Sequence, residues 1–369
     1  MRWIIRNLHW WSLLLLCAAA AGGVAVRLSV NNAVETKRPA KMQKQSKAIL
    51  PRSMLLLSSL GRDNDLKRHG WYAVWCYAPQ VRKRTVHHWR GTVPVAAHAR
   101  RQSFGTRREV VVINGGYFEM FQPLKPTRKA LIGSAGNGTA GRWSHGSPPS
   151  RRGHQFQRWA FGMSAAFEGR SSFALEMMES RADGSYVVPR AVEKSFPYGL
   201  SGLMCLLRDG KAMVWEEKSE VRALPLGQWG GSAEWSRGYY RRAALAWTTD
   251  GKHLFLVVHQ HPRSVLETRD LFARYNGRRY DRPGPILSAL RVAWERLPAS
   301  ERPFTQSELP QRIENAVLLD GGHSATLMYR RAKDYSGTRQ WQESGSWLSG
   351  APWRPLAPPV PSMIELASP

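Results

Sequence analysis

Two short segments of this chain place one polar side chain at the end of an apolar run and follow it with two glycines. The first is VVVINGGYF, where the polar residue is Asn114, and the second is AVLLDGGHSATL, where it is Asp320. Glycines let a ligand approach the backbone, and the N–H groups after them form anion-binding nests. Either segment alone is more often an ordinary glycine turn. The pair favours two halves of one site, with glycines at Gly115, Gly116, Gly321 and Gly322.

Two histidines raise a second chemical hypothesis. His259 and His261 alternate in VVHQHP and would share one face of an extended strand, which is how a two-ligand metal site begins. No third ligand is evident in the sequence. We therefore predict no cofactor. A divalent metal at these two histidines has no other support in the sequence.

Four motifs in chain order resemble those of the phosphodiester glycosidase family. They are INGGYF, SGLMCLLRDGK, the segment Arg242–Lys252 with its Asp-Gly-Lys ending, and AVLLDGGHSATL. The resemblance covers roughly residues 71–366 and includes a closing PPVPSMIEL that is similar to the family's last strand. It implies hydrolysis of a sugar-1-phosphate diester, with release of the sugar and a phosphate monoester left behind.

The chemistry of such a diester assigns expected roles. A phosphate monoester leaves more readily than an alkoxide, so less general-acid assistance is needed than in ordinary glycoside hydrolysis. We expect Asp320 to activate water or stabilise charge on the sugar ring, Arg242 to hold the phosphate, and Asn114 to orient the substrate. The expected substrate-binding set is Gly115, Gly116, Gly321, Gly322, Ser324 and Glu267, the last because the family has a glutamate-bearing helix there.

Two positions depart from the family pattern. Ala243 stands where a threonine is usual, and His323 stands where a glycine usually follows Asp-Gly-Gly. An imidazole beside Asp320 is suited to acid–base chemistry, so we count His323 among the catalytic candidates. The departures also keep a second function open, a catalytically inactive envelope protein that binds anionic glycan or lipid.

Composition narrows the class of partner. The chain of 369 residues has 54 Lys+Arg against 27 Asp+Glu, a net charge of +27, which predicts a polyanionic partner or surroundings. The basic residues are scattered, and no zinc-spaced Cys/His cluster or RNA-binding aromatic signature accompanies them. We therefore predict a phosphoglycan or sugar-phosphate partner and no nucleic acid.

The N-terminus predicts export. Residues 1–30 carry basic residues before a long apolar run, which is typical of a signal anchor or a signal peptide. Residues 31–68 are polar and rich in Lys and Arg, and we interpret them as a flexible stalk with short helical turns near Met54. The predicted location is the membrane, with the catalytic region in the periplasm or outside the cell.

Residues 69–369 are expected to form one α+β domain of mixed β-sheets with packed helices. GWYAVWCYAP and REVVVINGGYF read as strands, and VPVAAHARR reads as a helix. The stretch Gly133–Gly153 is rich in Gly, Ser and Pro, which predicts a mobile loop, either a lid or an idle insertion. Trp143 and Trp229 are candidates for stacking on a sugar. Cys76 and Cys205 would pair in an oxidising compartment or stay as two buried thiols.

Overall fold

The apolar runs of the sequence form strands whose alternating side chains cover two faces of a large sheet. A computed structural model describes residues 51–58, 70–88, 93–103, 109–117, 131–146, 158–217, 220–223, 240–275, 280–321, 324–330, 341–345 and 360–368. All strand pairs within these residues are antiparallel. All the described residues belong to one compact unit, residues 50–369.

The larger sheet has eleven strands among the described residues. Its main path runs through β1 (Met54–Ser58), β2 (Trp71–Tyr77), β16 (His253–His259), β15 (Ala243–Trp247), β19 (Asn315–Leu318), β11 (Tyr198–Arg208), β5 (Ser134–Asn137) and β6 (Ser144–His145). Beside this path lie β7 (Trp159–Met163), β8 (Phe173–Met177) and β12 (Lys211–Ala212).

The smaller sheet has five strands in the order β21 (Trp341–Gly345), β20 (Thr326–Arg330), β4 (Val110–Asn114), β22 (Ser362–Ala367) and β3 (Arg82–His87). Separate strand pairs are β9 (Glu179–Ser180) with β10 (Tyr186–Val187), β13 (Val214–Glu217) with β14 (Glu220–Ala223), and β17 (Ala273–Tyr275) with β18 (Tyr280–Pro283). The α-helices are α1 (Val95–Ser103), α2 (Arg190–Ser195), α3 (Val265–Asp270) and α4 (Pro285–Glu295), and 3-10 turns lie at Ala78–Gln80, Gly169–Ser172, Ala299–Glu301 and Gln306–Glu308.

The main core lies between the two sheets. In β15, Leu245 faces this core while Ala244 faces the opposite side, against α3 and α4. In β4, Ile113 faces the same core while Val112 packs towards α1. The period-two alternation of both strands therefore builds a layered domain, with helices on the outer faces of both sheets. The predicted α+β class, rich in sheet and with few helices, is confirmed.

The folded region begins earlier than expected. Residues 54–58 fall within the predicted stalk, yet they form β1, which pairs with β2 from Met54 opposite Cys76 to Ser58 opposite Tyr72. The predicted helical turns there are wrong because this apolar run completes the edge of the large sheet. Residues 31–50 and 59–68 of the predicted stalk, and the N-terminal apolar run, lie outside the described residues. Among the described residues, no helix is long and apolar enough to span a membrane.

Part of the predicted mobile loop forms sheet, at Ser134–Asn137 and Ser144–His145, and residues 147–153 of it lie outside the described residues. β5 and β6 pair with each other, and β5 also pairs with β11. A Cβ on Gly136 would lie 2.8 Å from the Trp143 Nε1 atom and 2.9 Å from the Pro197 carbonyl oxygen, so the small residues permit close packing. Trp143 is buried and donates from Nε1 to the Phe196 carbonyl at 2.8 Å, which makes it a core residue. Trp229 lies outside the described residues.

The two described cysteines are separate thiols. Cys76 on β2 and Cys205 on β11 are both free and buried, so of the two sequence alternatives the structure has unpaired thiols. Burial raises the pKa of each thiol well above its usual value. Neither is therefore suited to nucleophilic chemistry in this state.

Candidate active site

The two Gly-Gly motifs meet at one end of the two sheets. Asn114 is the last residue of β4, and Asp320 follows β19. The Asp320 backbone N–H donates to the Gly115 carbonyl at 3.0 Å, and Asn114 Nδ2 donates to the Asp320 carbonyl at 2.8 Å. The two segments therefore lie in contact, since each contributes one of these reciprocal hydrogen bonds. Their use as one functional site stays a prediction.

Asn114 links three segments of the chain. Its side chain is fully buried, and Oδ1 accepts a hydrogen bond from the Thr326 N–H at 3.0 Å while Nδ2 binds the Asp320 carbonyl. Both ends of the amide are thus bonded to backbone. Asn114, at the end of the smaller sheet, thereby fixes the backbone of Asp320, which follows β19 of the larger sheet. A direct contact of Asn114 with substrate stays a prediction.

Gly115 and Gly116 serve close packing against β22. The Gly115 N–H donates to the Ser362 carbonyl at 2.8 Å, and the Gly116 N–H donates to Ser362 Oγ at 3.1 Å. A Cβ on Gly115 would lie 2.4 Å from Ser362 Oγ, whereas one on Gly116 would meet its nearest atom at 3.6 Å. The N–H that follows Gly115, which the sequence suggested as an anion donor, is therefore engaged within the protein. The corresponding donor after Gly321 stays a prediction. Ser362 was not identified from the sequence.

Arg242 is placed beside Asp320 by strand register. Ala244 lies opposite Leu318, and the Leu319 N–H donates to the Ala243 carbonyl at 2.8 Å. Continuing this antiparallel register sets Arg242 opposite Asp320. Residues directly opposite each other share a face of the sheet, so both side chains project from the same face.

The Arg242 guanidinium is held by local contacts. The side chain is 1% exposed, and Nε donates to the Arg263 carbonyl at 3.1 Å. The guanidinium carbon lies 5.2 Å from the centroid of the Tyr240 ring, within the range of a cation–π interaction. Burial lowers the pKa of Arg242, while Tyr117, Tyr240 and Asp320 oppose that change. A guanidinium remains charged in such surroundings, so the site holds a buried cation.

Asp320 is a carboxylate poised to titrate near neutrality. Burial raises the pKa of Asp320 from 3.8 to about 7. Hydrogen bonds from the Ser324 hydroxyl and the Gly321 backbone, and the charge of Arg242, oppose this rise without cancelling it. A general base or acid works best when its pKa lies near the working pH. Asp320 therefore has the protonation behaviour that acid–base chemistry requires.

Tyr117 is a further member of the site. Its side chain is buried, and burial raises the pKa of the phenol well above 10, with Asp320 raising it further and Arg242 lowering it. The phenol is thus close enough to feel both charges. The sequence offered a signal, since an aromatic residue directly follows the first Gly-Gly pair, but the motif alone gave it no role.

The other predicted site residues differ in their contacts. A Cβ on Gly321 would lie 2.7 Å from the Arg241 carbonyl oxygen, so this glycine lets the turn pass close to the chain just before β15. Glu267 is exposed, caps α3 by accepting from the Ser264 N–H at 2.8 Å, and lies 3.4 Å from Arg263 Nη1. Its use as a second carboxylate of the site stays a prediction. Gly322 and His323 lie outside the described residues.

Other candidate sites do not involve these residues. Within the described ranges, no group of three or more His, Cys, Asp or Glu side chains is arranged to hold a metal ion. A cavity of about 330 Å³ lies between β1 and α4, with Leu56 and Val292 among its lining residues. None of the predicted site residues lines this cavity.

Comparison with known proteins gives distant structural likenesses. No protein-family model matches the chain, and no curated protein matches it significantly. A hypothetical protein from Synechocystis is similar with TM-score 0.45 and 14% identity, over 81% of this chain and 59% of that chain, so this chain spans less than two thirds of its length. The catalytic domain of zebrafish N-acetylglucosamine-1-phosphodiester α-N-acetylglucosaminidase, auto-inhibited by its pro-peptide, is similar with TM-score 0.40 and 18% identity, over 87% of this chain and 84% of that chain.

Proposed function

We propose that this protein hydrolyses a sugar-1-phosphate diester, releasing the sugar and leaving a phosphate monoester. The substrate would be an envelope or extracellular glycan, reached by a catalytic region that is exported and anchored by the N-terminal segment. The observation that carries the proposal is the hydrogen-bonded contact of the two Gly-Gly motifs, with Arg242, just before β15, in register with Asp320, just after β19.

The electrostatics of the site support an anionic substrate. Arg242 is a buried cation, and burial raises the pKa of Asp320 to about 7, which weakens the neutralisation of that cation by Asp320 near neutral pH. A phosphodiester binding there would bring the compensating negative charge, and Arg matches the geometry of phosphate oxygens.

The proposed reaction needs one base and one anion-binding group. Asp320 takes a proton from water as the water oxygen forms a bond to C1 of the sugar, and the bond from C1 to the phosphate oxygen breaks. Arg242 stabilises the electron pair that goes to the leaving phosphate. The proton on Asp320 then returns to solvent or to the phosphate monoester. Asn114 contributes by fixing the backbone of Asp320.

The departure at residue 243 is compatible with this chemistry. Ala243 is fully buried in the apolar core between the sheets, whereas the residue before it carries the charge of the site. A hydroxyl lost at position 243 therefore changes the core more directly than it changes the charges around Asp320.

The test is an assay of free sugar. The full chain is incubated with a panel of sugar-1-phosphodiesters that includes UDP-sugars, and released sugar is quantified. We expect release by the native protein and none by Asp320→Ala. Asp209→Asn is the matched control, because Asp209 is exposed in a turn at φ 49, a conformation that Asn tolerates well.

Two outcomes would contradict the proposal. Undiminished release by a folded Asp320→Ala protein would remove Asp320 from the reaction. Absence of release from every diester, with folding verified by circular dichroism, would favour the non-catalytic alternative in which the basic protein only binds anionic glycan or lipid.

A further inference from the structure

The strand register that joins Arg242 to Asp320 also places a histidine on its other side. Ala243 lies opposite Val258, and the His259 N–H donates to the Arg242 carbonyl at 2.8 Å. Extended by one or two residues, the register of β16, β15 and β19 sets three residues in one row: His259 at the end of β16, Arg242 just before β15 and Asp320 just after β19. Because directly opposite residues share a face, the three side chains project from the same face of the sheet.

The imidazole of His259 is buried without its hydrogen bonds being met. The residue is 3% exposed. The Gly70 backbone approaches the ring, yet neither ring nitrogen has a partner in full hydrogen-bonding geometry among the described residues. Two other buried histidines are bonded: His253 Nδ1 accepts from Trp75 Nε1 at 3.2 Å, and His98 Nε2 lies 2.7 Å from Glu365 Oε2. A buried polar group without a partner is costly, which points to a ligand that completes it.

Burial, together with two neighbouring cations, keeps this imidazole neutral. Burial lowers the pKa of His259 to about 3, and the charges of Arg263 and Arg242 lower it further, while the Gly70 carbonyl opposes them slightly. Asp320 is one strand beyond Arg242, and Glu267 lies against Arg263. A neutral imidazole beside a cation donates one hydrogen bond from N–H without adding a positive charge that Arg242 would repel.

We propose that His259 is a second anion-binding residue of the site and donates a hydrogen bond to the phosphate group that Arg242 holds. This inference rests on the proposed function only for the class of ligand, a phosphate ester. It gives His259 a part in ground-state binding of phosphate, while the proton transfer stays with Asp320.

The first test measures phosphate binding by the full chain. Inorganic phosphate is titrated into the native protein, His259→Gln and His261→Gln by calorimetry at pH 7 and fixed ionic strength. His261 is the matched control, since it is exposed and lies just beyond β16. Loss of a hydrogen bond to a charged group predicts an affinity about 10-fold or more weaker for His259→Gln, with no change for His261→Gln.

The second test needs no variant and so does not depend on folding of a mutant. In the native protein with ¹³C-labelled histidine, the pKa of His259 is followed by NMR with and without inorganic phosphate. An anion beside the ring should raise the pKa of His259. His253, at the far end of the same strand, should not respond. A histidine with only a packing role would keep the same pKa in both solutions.

The outcomes separate this inference from the proposed function. Phosphate binding that is equal in native protein and His259→Gln, with no change in the pKa of His259, would overturn the role of His259 and leave the hydrolase proposal standing. Phosphate binding that depends on His259 in a protein that releases no sugar would reject the hydrolase proposal and keep the anion site. Absence of phosphate binding to the native protein would overturn the anion site altogether.

Discussion

Replacing Asp320 by Asn should stabilise the fold at alkaline pH. A carboxyl whose pKa rises from 3.8 to about 7 in the folded state favours folding most at low pH, and this contribution is lost as pH rises through 7. Each unit of pKa difference between the folded and unfolded states is worth about 1.4 kcal/mol, so the rise from 3.8 to about 7 corresponds to about 4 kcal/mol of folding free energy. The amide of the Asp320→Asn variant cannot ionise, so the variant should exceed the native protein by about 2–4 kcal/mol at pH 8 and match it closely near pH 4.

The assay is urea unfolding followed by tryptophan fluorescence between pH 4 and pH 9. Groups elsewhere in the chain titrate in both proteins, so the difference between the two free energies of unfolding isolates Asp320. Asp209→Asn, which makes the same change at an exposed turn, serves as the comparison. A pH-independent difference for Asp320→Asn, or a native protein that is the more stable one at pH 8, would refute the argument that burial controls Asp320.

Three further predictions follow from the same geometry. Asn114→Ala should lower the free energy of unfolding by about 2–3 kcal/mol in urea melts, because it leaves the buried Thr326 N–H without its acceptor and the Asp320 carbonyl without its donor. Gly115→Ala should destabilise the protein by more than about 2 kcal/mol in thermal unfolding, because the new Cβ would overlap Ser362. Gly116→Ala should change thermal unfolding little, because its Cβ has room. Equal effects of the two variants would contradict this packing. If Asp320 is the base, kcat/KM should fall about 50-fold from pH 7 to pH 5, and a profile that rises towards acid would instead make Asp320 the general acid.

Local patterns in the sequence were enough to predict much of the fold. The alternation in Trp71–Tyr77 and the apolar run Val110–Asn114 correspond to real strands, and the helix at Val95–Ser103 was also predicted. β1 was missed because its five residues follow a long basic segment, and their burial depends on pairing with β2. Ser134–Asn137 was missed for the opposite reason, since small residues suggest flexibility but here permit tight pairing.

The candidate site was predictable only in part. Asn114 and Asp320 stand out because two segments of the chain repeat one pattern, an apolar run that ends in a polar residue and Gly-Gly. The placement of His259 beside Arg242 depends on which strands pair and in what register, and no local pattern contains that information. Ser362 is likewise brought in from the far end of the chain by β22.

The most direct test of the central claim is which bond breaks. Hydrolysis of a reactive sugar-1-phosphodiester by the full chain is run in ¹⁸O-labelled water, and the phosphate monoester is analysed by mass spectrometry. Attack of water on C1 predicts a phosphate product without ¹⁸O, formed by the native protein and not by Asp320→Ala. Incorporation of ¹⁸O into the phosphate would mean that water attacks phosphorus, and it would contradict the glycosidase reaction proposed for Asp320 and Arg242.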